Sequence, residues 1–252
     1  MKFLTLLLCL ALERFLPVEA SFQRFSWLER YLNSLVGYLP VSFTQEASAE
    51  IRLTVMVLPL WLLISSLCLI STMCFSNIVT FALELSVLLY CLGPLNPYRL
   101  ALNTEYTVFE QAHEALLTPV FWFVLLGVPG VLLYRLLERA AMLQDSVVVD
   151  TKLVSIAQRL TAFLAWLPIR VFSFSYALVG VFSSTACYWL DHLLTGYEAN
   201  HSLAANSGRI AIGLPERATL NADDYANALR LLDRILILVL VIVLLGSLAT
   251  WI

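Results

Sequence analysis

Glu110, Gln111, His113 and Glu114 stand just ahead of a long apolar run, in the stretch FEQAHEALLTPVFWFVLLGVPGVLLYRLLE from Phe109 to Glu138. On a helix Glu110, His113 and Glu114 fall at i, i+3 and i+4 and share a face, with Gln111 three residues before Glu114. Two carboxylates one turn apart repel unless a cation, a proton or an arginine lies between them. Such a pair suits Mg²⁺, which takes one or two carboxylates together with substrate phosphates. It equally suits a guanidinium such as Arg135 or Arg170. The competing reading is a solvated helix start, where the dipole favours acids.

The elements that must position these groups are set by composition. The chain has 252 residues, of which 60% are hydrophobic and 13% charged, with a mean hydropathy of +0.84. A soluble domain carries about 25% charged residues. The composition is that of an integral membrane protein whose partner is the lipid bilayer. A net charge of −3 and the lack of any Lys/Arg cluster exclude a nucleic-acid face. Five cysteines (Cys9, Cys68, Cys74, Cys91 and Cys187) form no C-x-x-C pair and read as small apolar side chains. His113, His192 and His201 have no metal-ligand spacing, so no metal site is expected from them.

The hydropathy pattern predicts an all-α, polytopic membrane fold in a single domain, with about four to five transmembrane helices plus amphipathic interfacial helices. Clear spans are expected over 53–71, 73–92, 116–137 and 235–252, the first two forming a helical hairpin. Residues 3–17 read as a retained short membrane helix or re-entrant segment, although Val18-x-Ala20 imitates a secretory cleavage site. A further apolar stretch over 160–182, interrupted by Pro168 and Arg170, is read either as a membrane segment or as lying half-buried. Over 22–38, Phe22, Phe25, Leu28, Leu32 and Leu35 recur at spacings of three and four, predicting an amphipathic helix. Gly127, Pro129 and Gly130 are expected to kink the span over 116–137. Glu84, in the middle of the second span, is an intramembrane polar candidate, because an ionisable group at that depth costs several kcal/mol unless it finds a partner. A protonated glutamic acid that only joins helices is the plainer account. The Lys/Arg distribution between loops does not decide orientation.

Three stretches, LLLCLALERFL, AHEALLTPVFWFVLLGVPGVLLYRLLE and LAWLPIRVFSFSYALVGVF, resemble in order and spacing the AmpE family of bacterial inner-membrane proteins. AmpE proteins are distant relatives of the CobD/CbiB cobinamide-phosphate synthases. The resemblance covers most of the chain and is weakest over about 187–220. It implies a multi-pass protein of the bacterial inner (cytoplasmic) membrane, linked to β-lactamase induction, muropeptide sensing and the antibiotic response. In the synthases the stretch similar to Glu110–Pro119 carries Glu-Asn and then Asp, so Glu110, Gln111 and Glu114 keep its polar character. ADDYANALRLL is similar to their C-terminal segment and keeps Asp223, Asp224 and Arg230. Elsewhere the chain departs from them. Glu138-Arg139-Ala140-Ala141 stands in place of Asn-Thr-Leu-Asp, and Thr161, Ala162 and Ala165 stand where the synthases carry an Asp pair and an Asn before Leu-Pro-x-Arg.

Activating a carboxylate with ATP needs several fixed acids and bases around metal-bound phosphates. Alanine supplies neither, so the resemblance implies a retained polar site without the synthase reaction. No nucleophile elbow or P-loop appears, and NSGRIAIGLPE has too few glycines for a phosphate cradle. The leading expectation is a signalling protein, without cofactor, whose Glu110, Gln111, Glu114, Arg170, Asp223, Asp224 and Arg230 bind a small molecule or a partner protein. The alternative is a membrane transferase or ligase using Mg-ATP through the same acids. A third reading is a helical scaffold whose polar residues only pair with one another.

Overall fold

The computed structural model describes residues 2–15, 30–31, 48–74, 77–92, 108–142, 151–216 and 220–249. Among them the regular structure is all helical. In chain order the helices are α1 (Lys2–Phe15), α2 (Ala49–Cys74), α3 (Asn77–Cys91), α4 (Val108–Ala112), α5 (Thr118–Leu126), α6 (Val128–Ala141), α7 (Thr151–Val179), α8 (Phe182–His192), α9 (Asn200–Ala211) and α10 (Ala222–Ala249). A π-helical turn, His113–Leu117, joins α4 to α5, and a 3₁₀ turn, Tyr197–Ala199, leads into α9. The amphipathic helix expected over 22–38 lies outside the described residues, apart from 30–31.

Three of the described helices are long and apolar enough to cross a membrane: Ala49–Met73, Thr151–Val179 and Ala222–Ala249. Only 22% and 17% of the apolar windows of the first and last are buried within the protein, against 44% for the middle one. Helices α2 and α10 therefore turn most of their apolar surface outward, including Leu62, Leu63, Ile70, Ile237, Val241 and Leu245. In water such surface would cost about 25 cal/mol per Å², whereas lipid accepts it. Helix α7 is the central post, packed on α2, α5, α6, α8, α9 and α10.

The structure divides the segments differently from the hydropathy reading. Over 73–92 it has a 15-residue helix, α3, paired with α2 as a hairpin, with Thr80 Oγ1 donating to the Ser71 carbonyl at 2.9 Å. Over 116–137 it has two helices broken at Gly127, whose φ of +74° ends α5 in a conformation that costs a side-chain-bearing residue dearly. Trp61 Nε1 of α2 donates to the Pro129 carbonyl at 2.8 Å just beyond this break, fixing α6 against α2. Helix α6 is then buried on most of its faces. Helix α7 runs unbroken from Thr151 through Pro168 to Val179, short of the expected end at 182, and the span expected over 235–252 is, as far as Ala249, the C-terminal part of one helix that starts at Ala222.

Two features hold the chain around the acidic stretch. Phe109 is fully buried and its ring lies where a side chain on Gly208 would stand, so the absence of a Cβ at Gly208 lets α4 approach α9. Phe109 also meets Tyr176 of α7 edge to face at 5.6 Å. The π turn follows at once, its end marked by the Thr118 N–H bonding the His113 carbonyl five residues back. Single π turns of this kind are frequent at functional sites because they shift the register of the side chains that follow.

Candidate functional site

The π turn forms one wall of a cavity of about 820 Å³. Glu110, Gln111, His113 and Glu114 line it from α4 and the turn, and Tyr134, Glu138 and Ala141 from α6. Helix α7 contributes Gln158, Arg159, Thr161, Ala162, Ala165 and Ile169; Tyr197, Glu198, Asn200, His201 and Ala204 close the remaining side. Ser155, Gln158, Ala162, Ala165 and Ile169 follow one another at three- and four-residue spacing and form one helical face, with Arg159 and Thr161 flanking it.

Arg135 organises the base of this wall. It is 1% exposed and donates from Nη1 to Glu138 Oε2 at 2.6 Å and from Nη2 to the Ala115 carbonyl at 2.7 Å. Its Nε donates to the Cys91 carbonyl at the end of α3. One guanidinium thus ties α3, the π turn and α6 together. Arg139 Nε lies 3.9 Å from the same Glu138 oxygen, so Glu138 meets the cavity already matched by cations.

Glu114 and His113 differ in kind. Glu114 is partly exposed, with Oε1 3.7 Å from His201 Nδ1. Burial, with Glu138 and Glu110 nearby, pushes the Glu114 carboxyl above its usual range against the pull of His201 and Arg135. His113 is 1% exposed, and neither of its ring nitrogens meets a hydrogen-bond partner. Its ring rests edge-on against Phe172 at 6.0 Å and Tyr176 at 5.6 Å. Burial, helped by nearby His201, pushes the imidazole down to about 3, so it is neutral at physiological pH.

Of the residues singled out in the sequence, Glu110, Gln111 and Glu114 share the cavity. Arg170 lies outside its lining. Its guanidinium donates to the carbonyls of Leu193 (3.0 Å), Trp166 (3.0 Å) and Thr195 (2.6 Å) and to Asn200 Oδ1 (2.9 Å), stacked 4.2 Å over the Trp166 ring. It pins the 193–196 connection and holds Asn200, whose Nδ2 donates to the Ala162 carbonyl at 2.8 Å, at the cavity edge. Asp223, Asp224 and Arg230 sit on the first turns of α10, away from the cavity. Asn221 and Asp224 cap that helix reciprocally: the Asp224 N–H donates to Asn221 Oδ1 at 2.8 Å and the Asn221 N–H to Asp224 Oδ2 at 3.1 Å. Arg230 donates from Nε back to the Ala226 carbonyl at 3.4 Å. Glu84 is half-buried on α3, the helix packed against α1, α2 and α6, and does not line the cavity.

The structure adds His113, Glu138, Asn200 and His201 to the set, of which only His113 carried a sequence signal, its place on the acidic face. It also places Ala141, Thr161, Ala162 and Ala165 on the cavity wall. Among the described residues, no group of three or more His, Cys, Asp or Glu side chains is placed to hold a metal ion. Buried Cys9, Cys68 and Cys91 are free thiols within the apolar interior, while Cys187 is exposed. Comparisons with protein families, characterised proteins and solved structures find no match to this chain. The family resemblance therefore rests on the quoted stretches alone.

Proposed function

We propose that this chain is a non-enzymatic signalling protein of the bacterial inner membrane, similar to AmpE, whose polar cavity binds a small molecule related to cell-wall turnover. The observation that carries this reading is the cavity itself. The wall at Glu110, His113 and Glu114 is acidic, while α7 brings Ala162 and Ala165 to the lining, positions at which the synthases that the chain resembles carry fixed polar groups. A cavity of about 820 Å³ is the size of a small-molecule site.

The second reading, a membrane transferase using Mg-ATP, draws on Glu110 and Glu114 one turn apart on the same wall, since Mg²⁺ needs only one or two protein carboxylates. Thermal unfolding of the detergent-purified protein separates the two, because a ligand that binds only the folded state raises apparent stability. A rise with muropeptide fragments that is lost in Glu114→Ala supports the signalling reading. A rise with Mg-ATP alone, lost in the same variant, supports the transferase. No rise with either counts against both.

A further inference from the structure

A buried polar group on the cavity wall has no partner in the protein. His113 is 1% exposed and lines the cavity, and neither of its ring nitrogens is hydrogen-bonded. Buried polar groups are nearly always bonded, and an orphan imidazole costs desolvation that a bound group recovers. Other polar groups of the lining are engaged within the protein. Glu138 is held by Arg135 at 2.6 Å, and Glu114 faces His201 at 3.7 Å. Asn200 accepts from Arg170 and donates to the Ala162 carbonyl, and Glu110 and Gln111 have partners of their own. The imidazole, rather than the charges beside it, defines what this wall asks of a ligand.

A neutral imidazole has one N–H donor and one lone-pair acceptor. No protein bond fixes which nitrogen of His113 holds the proton. An ammonium only donates and a carboxylate only accepts, so each serves one tautomer. A hydroxyl donates or accepts through the same atom and serves both, whereas an amide needs two separate atoms to do so. A hydroxyl also sheds its water at less cost than an ion on reaching a ring packed edge-on against Phe172 and Tyr176. Further hydroxyls find acceptors on the same wall. Each carboxylate oxygen of Glu110 and Glu114 has two lone pairs, so it takes an O–H bond while keeping the partner it has. Such a bond adds no net charge to the cavity.

We propose that the cavity receives the polyhydroxylated, sugar-like end of its ligand, one hydroxyl bonded to His113 and others to Glu110 and Glu114. This rests on the reading of the cavity as a site for cell-wall fragments and narrows it to one end of such a fragment. An acidic or peptide end stays at the exposed side of the lining, where Arg159 stands.

The test is thermal unfolding of the full chain, purified in a detergent without a sugar headgroup. Four probes are titrated: methyl β-glucopyranoside, glucuronate, 2-methoxytetrahydropyran, which is the same ring without hydroxyls, and the dipeptide alanyl-glutamate. Both sugars raise the midpoint with dose and the other two do not. His113→Phe weakens the sugars' apparent affinity about twofold to tenfold, the loss expected for a neutral hydrogen bond. His113→Gln, which again donates and accepts, retains part of the response. Glu114→Gln gives a second loss that does not depend on the His113 variants, and Glu84→Gln, outside the cavity, leaves the affinity unchanged. The ligand-free midpoint of each variant shows that it folds. An equal response to 2-methoxytetrahydropyran overturns recognition through hydroxyls. A response to the dipeptide and not to the sugars, lost in His113→Phe, overturns the sugar assignment while the cavity stands as a site. A sugar response that His113→Phe leaves intact overturns the role of His113. No response to any probe overturns the proposal, and the reading beneath it falls as well only when the nucleotide and muropeptide titrations are also flat.

Discussion

Replacing Arg135 by methionine is the sharpest perturbation of the site's frame. The side chain is 1% exposed, and its guanidinium serves Glu138, the Ala115 carbonyl and the Cys91 carbonyl on three separate elements. Its loss leaves two carbonyls without their donor and Glu138 with only Arg139, 3.9 Å away. Breaking one side of a buried ion pair costs about 3–5 kcal/mol. At about 2–4 °C per kcal/mol for a chain of this size, the unfolding midpoint falls by about 6–20 °C. Removing both charges in Arg135→Met/Glu138→Leu recovers part of the loss, because the stranded carboxylate is gone. The assay is thermal unfolding in one detergent at one protein concentration. A midpoint for Arg135→Met within about 2 °C of wild type, which is under about 1 kcal/mol, refutes the assignment of Arg135 as the tie between α3, the π turn and α6.

By contrast, Arg14→Ala removes a solvent-facing pair with Asp233, 3.2 Å apart and 42% and 36% exposed. The expected change is under about 1 kcal/mol in the same assay. Gly208→Ala forces a methyl group into the Phe109 ring and is expected to cost about 1–3 kcal/mol, read as a lowered midpoint. For His113 the folded pKa, about 3, lies below the ordinary 6.5, so the unfolded chain binds the extra proton between those values. Its contribution to stability is therefore full above about pH 6.5 and is lost as pH falls toward 3, at up to about 1.4 kcal/mol per pH unit. His113→Phe flattens that part of the pH–stability curve. Arg170→Ala frees the 193–196 connection, and hydrogen exchange at Thr195 and Gly196 rises relative to the core of α7.

The membrane character and the all-helical class were legible because hydropathy and length decide them locally. So was the grouping of Glu110, His113 and Glu114, which helical period puts on one face and which line one cavity. The rest depends on contacts that no local pattern encodes. Glu138 reaches the cavity only because α6 folds back at Gly127, and Asn200 and His201 reach it only because α9 packs on α7. Periodicity cannot show a π turn either, because the bulge at His113–Leu117 is one residue of register within an otherwise helical pattern. Arg170 looked like a charge seeking an acid, but backbone carbonyls and Asn200 satisfy it instead. Asp223 and Asp224 stand at a helix start, and Asp224 caps it, so their sequence similarity to a distant family's segment does not bring them to the cavity.

Native mass spectrometry of the protein released gently from membranes, wild type beside Ala165→Trp, tests most directly whether the cavity holds a ligand. The indole of the variant takes up part of the cavity that Ala165 lines, and the ligand-free midpoint of Ala165→Trp shows that it remains folded. A ligand-binding cavity predicts a small-molecule adduct on the wild type that Ala165→Trp lacks. The same adduct on both proteins, or bare protein in both, would contradict it.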